Sequence, residues 1–353
     1  MRVLVTGGTG FIGSHSVAAL VRAGHRVRLL ARDPAGVDPV LAPLGVPPGT
    51  VAVAAGDATD PTAVAAAVHG CDAVLHAAGR YSFDTRDHRW LYPANVRATE
   101  VVLAAALAAG ADPVVHVSTF GVLRGGSGRP LTADAPVGTP REAYLASKAA
   151  ADTIARRYQA AGAPVVISYP LASLGPHDPR LGDQTTRVRN ALRGLMPLWP
   201  TGGFPIGDVR DVAALHAALL RGGDRPGRVL APGRYVSTRE LLAALRRASG
   251  RRLPALRLPA RAMLPVGALV GVLQRVLPVH LPAEYGAIYA CLLGAPVDTS
   301  VAEALLGRPP RPLDETVADT VGWLRRGTPG PYRGTGGNAT EEEARDPVAD
   351  HHG

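Results

Sequence analysis

The chain has 353 residues, of which 46% are hydrophobic and 19% charged, a composition that supplies a core for one large or two ordinary domains and excludes disorder of the whole chain. The net charge of +9 would suit nucleic acid, but the arginines are spread evenly and aromatic residues make up only 5%, so we expect no nucleic-acid partner. Cys71 and Cys291 lie in different segments, which argues against a disulfide framework or a zinc site, and we expect no metal.

The N-terminal segment has no long apolar run followed by a cleavage site, so we expect a cytoplasmic protein. No run of about 18 uninterrupted apolar residues is present, which argues against a transmembrane span. We interpret the Leu-, Val- and Pro-rich stretch at 253–281 as core and lid packing, with contact to an apolar substrate or a membrane surface as the alternative.

The first half of the chain alternates strand-like apolar runs with helical stretches, the pattern of βαβ units that form a parallel sheet. The apolar runs predict strands at 2–6, 26–31, 51–54, 73–77, 113–118 and 164–169. The intervening stretches predict helices at 12–23, 61–68, 94–109 and 142–161. We therefore predict an α/β fold with a Rossmann-like, doubly wound parallel sheet, in an NAD(P)-binding domain at 1–170.

The regular alternation ends after Pro170, where Pro- and Gly-rich loops separate helices that we predict at 183–194, 208–221, 237–249, 299–306 and 314–326. A smaller C-terminal lobe of this kind can cover the crevice at the carboxyl ends of the strands and select the substrate. We assign residues 171–326 mainly to this lobe, with some segments that could return to the sheet. Residues 327–353 are Gly-rich and then acidic, and we expect them to be disordered.

A glycine-rich turn connects the first predicted strand to the first helix. Its three glycines, Gly7, Gly10 and Gly13, have the spacing GxxGxxG. Gly7 permits the tight turn, Gly10 lets backbone amides approach a pyrophosphate, and Gly13 allows close packing of helix on sheet. The strand, turn and helix together predict a dinucleotide-binding site.

The end of the second strand indicates which dinucleotide is bound. An acidic residue there favours NAD through the ribose 2′-hydroxyl, whereas a guanidinium suits the 2′-phosphate of NADP. The strand ends at Ala31 and Arg32 follows, so NADP(H) is favoured; NAD(H) stays open because Asp33 could act one residue later. Asp57, after the third strand, is placed to accept a hydrogen bond from the adenine amine.

Tyr144 and Lys148 lie four residues apart at the start of a predicted helix, a spacing that places both side chains on one face. Lys148 is the one lysine among 38 basic residues, which indicates that this position requires an ammonium group. Such a cation, with the positive ring of an oxidised nicotinamide, would stabilise a phenolate. Tyr144 could then exchange a proton with a carbonyl/alcohol pair while hydride moves at the cofactor.

Two hydroxyls, Ser118 and Thr119, follow the fifth strand at the carboxyl edge of the sheet. Either could hold the substrate oxygen. A strand-end hydroxyl that bonds only to local backbone is the alternative interpretation.

These motifs resemble those of the extended short-chain dehydrogenase/reductase family, in the NAD-dependent epimerase/dehydratase superfamily. The resemblance covers about residues 1–326 and rests on several separated segments. They are Thr6-Gly-Gly-Thr-Gly-Phe-Ile-Gly13, Gly56-Asp57, His76-Ala-Ala-Gly79, Asn95-Val96, Val117-Ser-Thr119, Tyr144-x-x-x-Lys148, Gly175-Pro176 and Val209-Arg-Asp211.

The resemblance implies that Tyr144 and Lys148 are the catalytic pair, with Thr119 as the catalytic hydroxyl, Ser118 beside it and Asn95 holding a proton-relay water. Without the resemblance, an Asn before a helix is most often a cap or turn residue. The resemblance also implies a set of cofactor contacts: Gly7, Gly10, Phe11, Ile12, Gly13, Arg32, Asp57, Ala58, His76, Ala77, Ala78, Lys148 and Pro170.

Two branches of the family differ in how they anchor the substrate. Nucleotide-sugar enzymes commonly carry Arg-Pro after the sixth strand, where this chain has Tyr169-Pro170, and they carry an acidic residue where this chain has Ala31-Arg32. Both differences favour reductases that resemble dihydroflavonol-4-reductase and the 3β-hydroxysteroid dehydrogenases. The predicted function is therefore carbonyl reduction, or the reverse oxidation, on a hydrophobic small molecule.

The loop residues Arg80, Tyr81, Trp90 and Trp199 could face that substrate, although Tyr and Trp in loops are as often packing anchors. A nucleotide-sugar epimerase or dehydratase with tightly bound NAD is the first alternative. A scaffold that senses NADP(H) without chemistry is the second, which the intact Tyr-Lys pair argues against. Family members are often monomers or dimers, and we expect one of these states.

Overall fold

A computed structural model of the chain describes residues 1–82, 88–125, 129–221, 223, 225–263, 291 and 294–327. Its twelve strands within these ranges are β1 (Arg2–Thr6), β2 (Arg26–Ala31), β3 (Ala52–Ala55), β4 (Ala73–His76), β5 (Val114–Val117), β6 (Val165–Tyr169), β7 (Ala172–Leu174), β8 (Leu198–Pro200), β9 (Gly203–Asp208), β10 (Arg228–Leu230), β11 (Arg234–Ser237) and β12 (Leu256–Leu258).

The α-helices in the same part of the chain are α1 (Phe11–Arg22), α2 (Val37–Leu41), α3 (Pro61–Val68), α4 (His88–Tyr92), α5 (Ala98–Ala108), α6 (Ala143–Ala160), α7 (Asp183–Leu192), α8 (Val209–Leu219), α9 (Thr238–Ser249), α10 (Ser300–Leu306) and α11 (Leu313–Arg325). A π-helical turn, Pro93–Arg97, leads into α5. Where the sequence predicts one helix at 94–109, the chain therefore forms this wider turn followed by an α-helix.

The main sheet has seven parallel strands in the order β10-β6-β5-β4-β1-β2-β3. The chain builds outward from β1 in one direction and then returns to β4 on the other side of it. The order therefore reverses between β1 and β4, and in such sheets the crevice for the ligand lies there, at the carboxyl ends of the strands. This confirms the predicted doubly wound α/β fold.

Two apolar layers cover the main sheet. On one face, α1 and α8 pack over inward-facing valines and leucines such as Val5 and Val115. On the other face, α3, α5 and α6 pack over residues such as Leu4 and Ile167. Because strands buried on both faces need apolar side chains at every position, the continuous Val and Leu runs of the sequence specify this architecture.

The region after Pro170 contributes to both parts of the molecule. Helix α8 belongs to the layer beside α1, where His216 bridges Ser16 Oγ at 2.8 Å and Ser168 Oγ at 3.1 Å. Strand β10 pairs with β6 and adds the edge strand of the main sheet. Segments from the 171–326 range thus return to the sheet.

The second lobe has a core of its own, between α7, α9, α11 and two small sheets. One sheet joins β7, β9 and β11, and the other joins β8 and β12. The sequence predicts only helices and loops here, which is wrong. Strands of three or four residues that contain Gly and Pro are too short to show a strand periodicity.

No helix in the described ranges has both the length and the apolar character needed to cross a membrane. Most of the apolar stretch at 253–281 and nearly all of the tail at 327–353 lie outside the described residues. The expectations for lid packing, membrane contact and tail disorder therefore stay predictions.

Candidate active site

The glycine-rich turn lies where β1 ends beside β4. Gly7 has a φ of +75°, and a Cβ at this position would lie 2.5 Å from the backbone of Ala77 and Ala78. A Cβ at Gly13 would lie 2.1 Å from the carbonyl oxygen of Gly7. No side chain fits at either position, so both must be glycine, and the turn packs directly against the end of β4.

The N-terminus of α1 points out of this turn. Gly10 is its N-cap and provides no side-chain hydrogen bond to the first-turn amides. Uncapped amides at a helix N-terminus attract an anion. Phe11 and Ile12 form the first turn and are half-buried. The turn therefore fits the pyrophosphate of a dinucleotide.

His76, at the end of β4, forms hydrogen bonds beside the glycine-rich turn. Its Nδ1 lies 2.8 Å from Thr6 Oγ1 and its Nε2 lies 3.2 Å from Thr99 Oγ1. Burial lowers the pKa of His76 to about 3, so the ring is neutral. The Ala78 amide donates to the same Thr6 hydroxyl at 3.3 Å. His76 thus fixes the ends of β1 and β4 relative to each other.

The adenosine side of the crevice carries an exposed guanidinium. The side chain of Arg32 is 66% exposed, and its Nε lies 3.9 Å from Asp57 Oδ2. Asp33 accepts a hydrogen bond from the Ala35 amide at 3.1 Å and so caps a short 3₁₀ turn. Asp57 Oδ1 accepts from the amide and hydroxyl of Thr59, while Ala58 lies between them in the turn.

Tyr144 lies in the first turn of α6. Glu142 caps that helix, because its carboxylate accepts hydrogen bonds from the amides of Tyr144 at 2.9 Å and Leu145 at 2.8 Å. Burial, with the nearby carboxylates of Glu142 and Asp183, raises the pKa of Tyr144 above its ordinary value of 10. The protein therefore holds Tyr144 as a neutral phenol.

Lys148 lies one turn later, and its side chain is almost fully buried. Its Nζ donates to the carbonyl of Val117, the last residue of β5, at 2.8 Å. Burial lowers the pKa of Lys148 to about 8, while the carboxylate of Asp152 acts in the opposite direction. The ammonium is thus placed at the carboxyl edge of the sheet and stays charged at neutral pH.

The two hydroxyls after β5 have different surroundings. Ser118 is buried, and its Oγ donates to Asp152 Oδ2 at 2.6 Å. Thr119 is half-buried and caps a 3₁₀ turn at Phe120–Val122, accepting from the Gly121 amide at 3.4 Å. The Pro170 carbonyl accepts from the Phe120 amide at 3.1 Å. Of the two hydroxyls, Thr119 is the one with a weak local bond, so it is the better placed to meet a substrate oxygen.

Asn95 is buried in the π-helical turn and does not act as a helix cap. Its Oδ1 accepts from the Arg80 amide at 2.8 Å, and its Nδ2 donates to the Arg80 carbonyl at 3.1 Å and to Ser147 Oγ at 2.8 Å. Asn95 therefore joins the loop after β4 to the helix that carries Tyr144.

The four residues predicted to face a substrate separate into different environments. Tyr81 packs edge-on against Tyr144, with ring centroids 4.8 Å apart, and Arg80 is in the same loop. Trp90 is 50% exposed on α4, and Trp199 lies in β8, where it is buried and donates to the Met196 carbonyl at 2.9 Å. The prediction that these two tryptophans lie in loops is wrong, since Trp90 lies in a helix and Trp199 in a strand. Both elements are too short to give a periodic signal in the sequence.

Two residues beside the site were not predicted from the sequence. Glu142 caps α6, but Glu is an unusual N-cap and gives no capping signal. Asp152 receives Ser118 and also accepts from Arg156 Nε at 2.8 Å. A signal for Asp152 was present, because it is an acidic residue one turn after the lone lysine in an Ala-rich helix.

The model of the NAD dependent epimerase/dehydratase family matches residues 3–231. Sterol demethylase protein B of Methylococcus capsulatus is 29% identical over 334 residues, which cover 92% of this chain and 98% of that protein. A putative dihydroflavonol 4-reductase of Synechocystis is 30% identical over 332 residues, which cover 91% of this chain and 94% of that protein.

A solved structure is similar across both lobes. It is a double mutant of DesIV, a dTDP-glucose 4,6-dehydratase from Streptomyces venezuelae, with NAD bound. Its sequence is 26% identical to this chain and its TM-score is 0.70. The match covers 93% of this chain and 98% of that one. The family match and the fold agree with the glycine-rich turn and the Tyr-Lys helix. The chain therefore belongs to the NAD-dependent epimerase/dehydratase family, the extended group of short-chain dehydrogenases/reductases.

Proposed function

We propose that this protein is an NADP(H)-dependent oxidoreductase that reduces a carbonyl group of a hydrophobic small molecule, or oxidises the corresponding alcohol. The observation that carries the proposal is the placement of Tyr144 and a buried Lys148 on consecutive turns of α6, with the ammonium bonded to the end of β5. Similarity to a putative dihydroflavonol 4-reductase supports the reductase direction.

The side chains of this site suit proton donation to a carbonyl. The nicotinamide cofactor, when bound, supplies or accepts the hydride. Tyr144 has a raised pKa and is protonated at neutral pH, the form that donates to a developing alkoxide. Lys148, with a pKa of about 8, stabilises the phenolate that remains. Thr119 donates a hydrogen bond to the substrate oxygen and orients it.

The preference for NADP(H) rests on Arg32. Its guanidinium is exposed after β2, where it would pair with a 2′-phosphate, and Asp33 caps the next turn. NAD bound to the DesIV double mutant supports the opposite preference. Fluorescence titration of nucleotide-free protein with NADPH and NADH decides, and we expect tighter binding of NADPH.

The proposed role of Tyr144 is tested by Tyr144→Phe, which removes the hydroxyl and keeps the ring. We expect kcat for NADPH-dependent ketone reduction to fall by about 10²–10⁴-fold, the usual contribution of a general acid, with NADPH affinity unchanged.

Tyr158→Phe is the matched control, because Tyr158 lies on the same helix and packs into the core. It should retain the parent rate. Full activity of Tyr144→Phe would refute the assignment.

A nucleotide-sugar epimerase or dehydratase is the second candidate, favoured by the similarity to DesIV. Such an enzyme recycles its hydride within one turnover and retains NAD. Denaturation of freshly purified protein, followed by mass analysis of released nucleotide, separates the two candidates. Stoichiometric NAD with no net NADPH consumption would favour the second.

A further inference from the structure

An apolar cavity of about 150 Å³ lies in the second lobe, between α7, β8 and α9. Its wall includes six side chains that are almost fully buried: Val188, Met196, Trp199, Phe204, Leu241 and Leu245. A cavity of about this volume with an apolar lining is large enough for a hydrocarbon of the size of benzene.

Two polar side chains along the wall form hydrogen bonds within the protein. Arg187 donates to Gln184 Oε1 at 3.0 Å, and Thr238 Oγ1 donates to the Pro200 carbonyl at 2.6 Å. A ligand in this space therefore meets mainly carbon. Burial of apolar surface is then the main source of its affinity.

Helix α7 connects the cavity to the proposed active site. It begins at Asp183, whose charge acts on Tyr144, and Gln184, Arg187 and Val188 on the same helix line the cavity. With a rise of about 1.5 Å per residue, Val188 lies about 7.5 Å further along the helix than Asp183. A small molecule could span the two places.

We propose that this cavity binds an apolar hydrocarbon group of about six carbons on the substrate, remote from the carbonyl that is reduced. The inference rests on the proposed carbonyl reduction and names the substrate class: a ketone with one reactive end and one apolar end. Most of the lining is apolar, which favours a hydrocarbon end over a sugar-bearing end.

The test is a series of straight-chain methyl ketones from 2-butanone to 2-undecanone, with NADPH oxidation as the readout. We expect kcat/KM to rise about threefold to tenfold for each added methylene until the cavity is full, and then to level off. Phenyl-bearing ketones, run in parallel, distinguish a ring from a chain as the preferred group.

Val188→Phe narrows the cavity and should flatten the rise with chain length. Val301→Phe is the matched control, because Val301 is 50% exposed on α10, and it should keep the rise. Val188→Ala enlarges the cavity instead and should move the plateau to longer ketones, so the proposal stays testable if the Phe variant does not fold.

Calorimetric titration with 1-hexanol measures occupancy without catalysis. Binding to the parent protein that Val188→Phe weakens at least tenfold would support the cavity, even if no ketone is reduced and the proposed function fails. Reduction of short ketones with no dependence on chain length, and no 1-hexanol binding, would overturn the cavity and leave the proposed function intact. Binding of a nucleoside diphosphate that Val188→Phe abolishes would also overturn it.

Discussion

The ammonium of Lys148 is buried, and the carboxylate of Asp152 is the charge that raises its pKa against the effect of burial. Asp152 is fully buried and receives Ser118, Arg156 and the Tyr169 hydroxyl. His76 in β4 and His116 in β5 add no charge beside Lys148, because burial and the charge of Lys148 lower the pKa of both rings and keep them neutral at pH 7. The charge of Lys148 therefore depends on Asp152.

We predict that Asp152→Asn lowers the pKa of Lys148 below its present value of about 8, because burial then acts without the opposing carboxylate. Lys148 would lose its proton at lower pH, and the alkaline limb of the kcat/KM profile should shift to lower pH. The measurement is the pH profile of NADPH-dependent reduction.

Asp211→Asn is the comparison variant, since Asp211 is equally buried but pairs with Arg308 in the contact between α8 and the second lobe. Its alkaline limb should match that of the parent. An unchanged limb in Asp152→Asn would contradict the role assigned to Asp152.

At the scale of elements, the start of α6 decides where Tyr144 lies. Its cap is the carboxylate of Glu142, which binds two first-turn amides. Without that cap the first turn frays, and Tyr144 is in the first turn.

We predict that Glu142→Ala costs about 1 kcal/mol of unfolding free energy and also lowers kcat. Ser237→Ala removes the cap of α9, where Ser237 Oγ accepts from the Glu240 amide at 3.1 Å, and should cost a similar amount while kcat is retained. Urea unfolding and initial rates are measured for both variants. If Glu142→Ala keeps the parent kcat as Ser237→Ala does, the first turn of α6 does not require its cap.

Sequence patterns predicted the elements of the first half well, because their buried positions follow a regular strand or helix spacing. Strand β1 and helix α3 have the predicted bounds, 2–6 and 61–68. The short strands β8 and β12 form only because their neighbours in the second lobe hold them, so no local signal announces them. Among the site residues, Tyr144 and Lys148 were found by spacing, whereas the partner of Ser118 depends on how α6 packs against β5.

At the scale of the whole molecule, three buried histidines join separate parts of the fold. His15 contacts the Pro176 carbonyl, His76 joins β1 to β4, and His216 joins α1 to β6. Burial lowers the pKa of His15 to about 4 and those of His76 and His216 to about 3, from an ordinary 6.5. Below pH 6.5 the unfolded chain therefore binds protons that the folded chain does not.

We predict that the free energy of unfolding falls as pH decreases below about 6.5, with each of these histidines contributing about 1.4 kcal/mol per pH unit. His216→Gln cannot take up a proton, so its stability should depend less steeply on pH by that amount, whatever stability it has at pH 7. Denaturant unfolding between pH 4.5 and pH 6, at steps of about half a unit, measures the two slopes. Equal slopes would contradict the prediction.

Because the chain has one lysine, cleavage at Lys148 can be used to measure local unfolding. A protease specific for lysine has one target within these 353 residues, the peptide bond after Lys148, and that bond lies inside α6 with the side chain buried. Cleavage requires α6 to open, so its rate follows the population of the open form when reclosing is fast. Two fragments, 1–148 and 149–353, would then appear on a gel at a rate that reports the stability of α6, without a label or an optical probe.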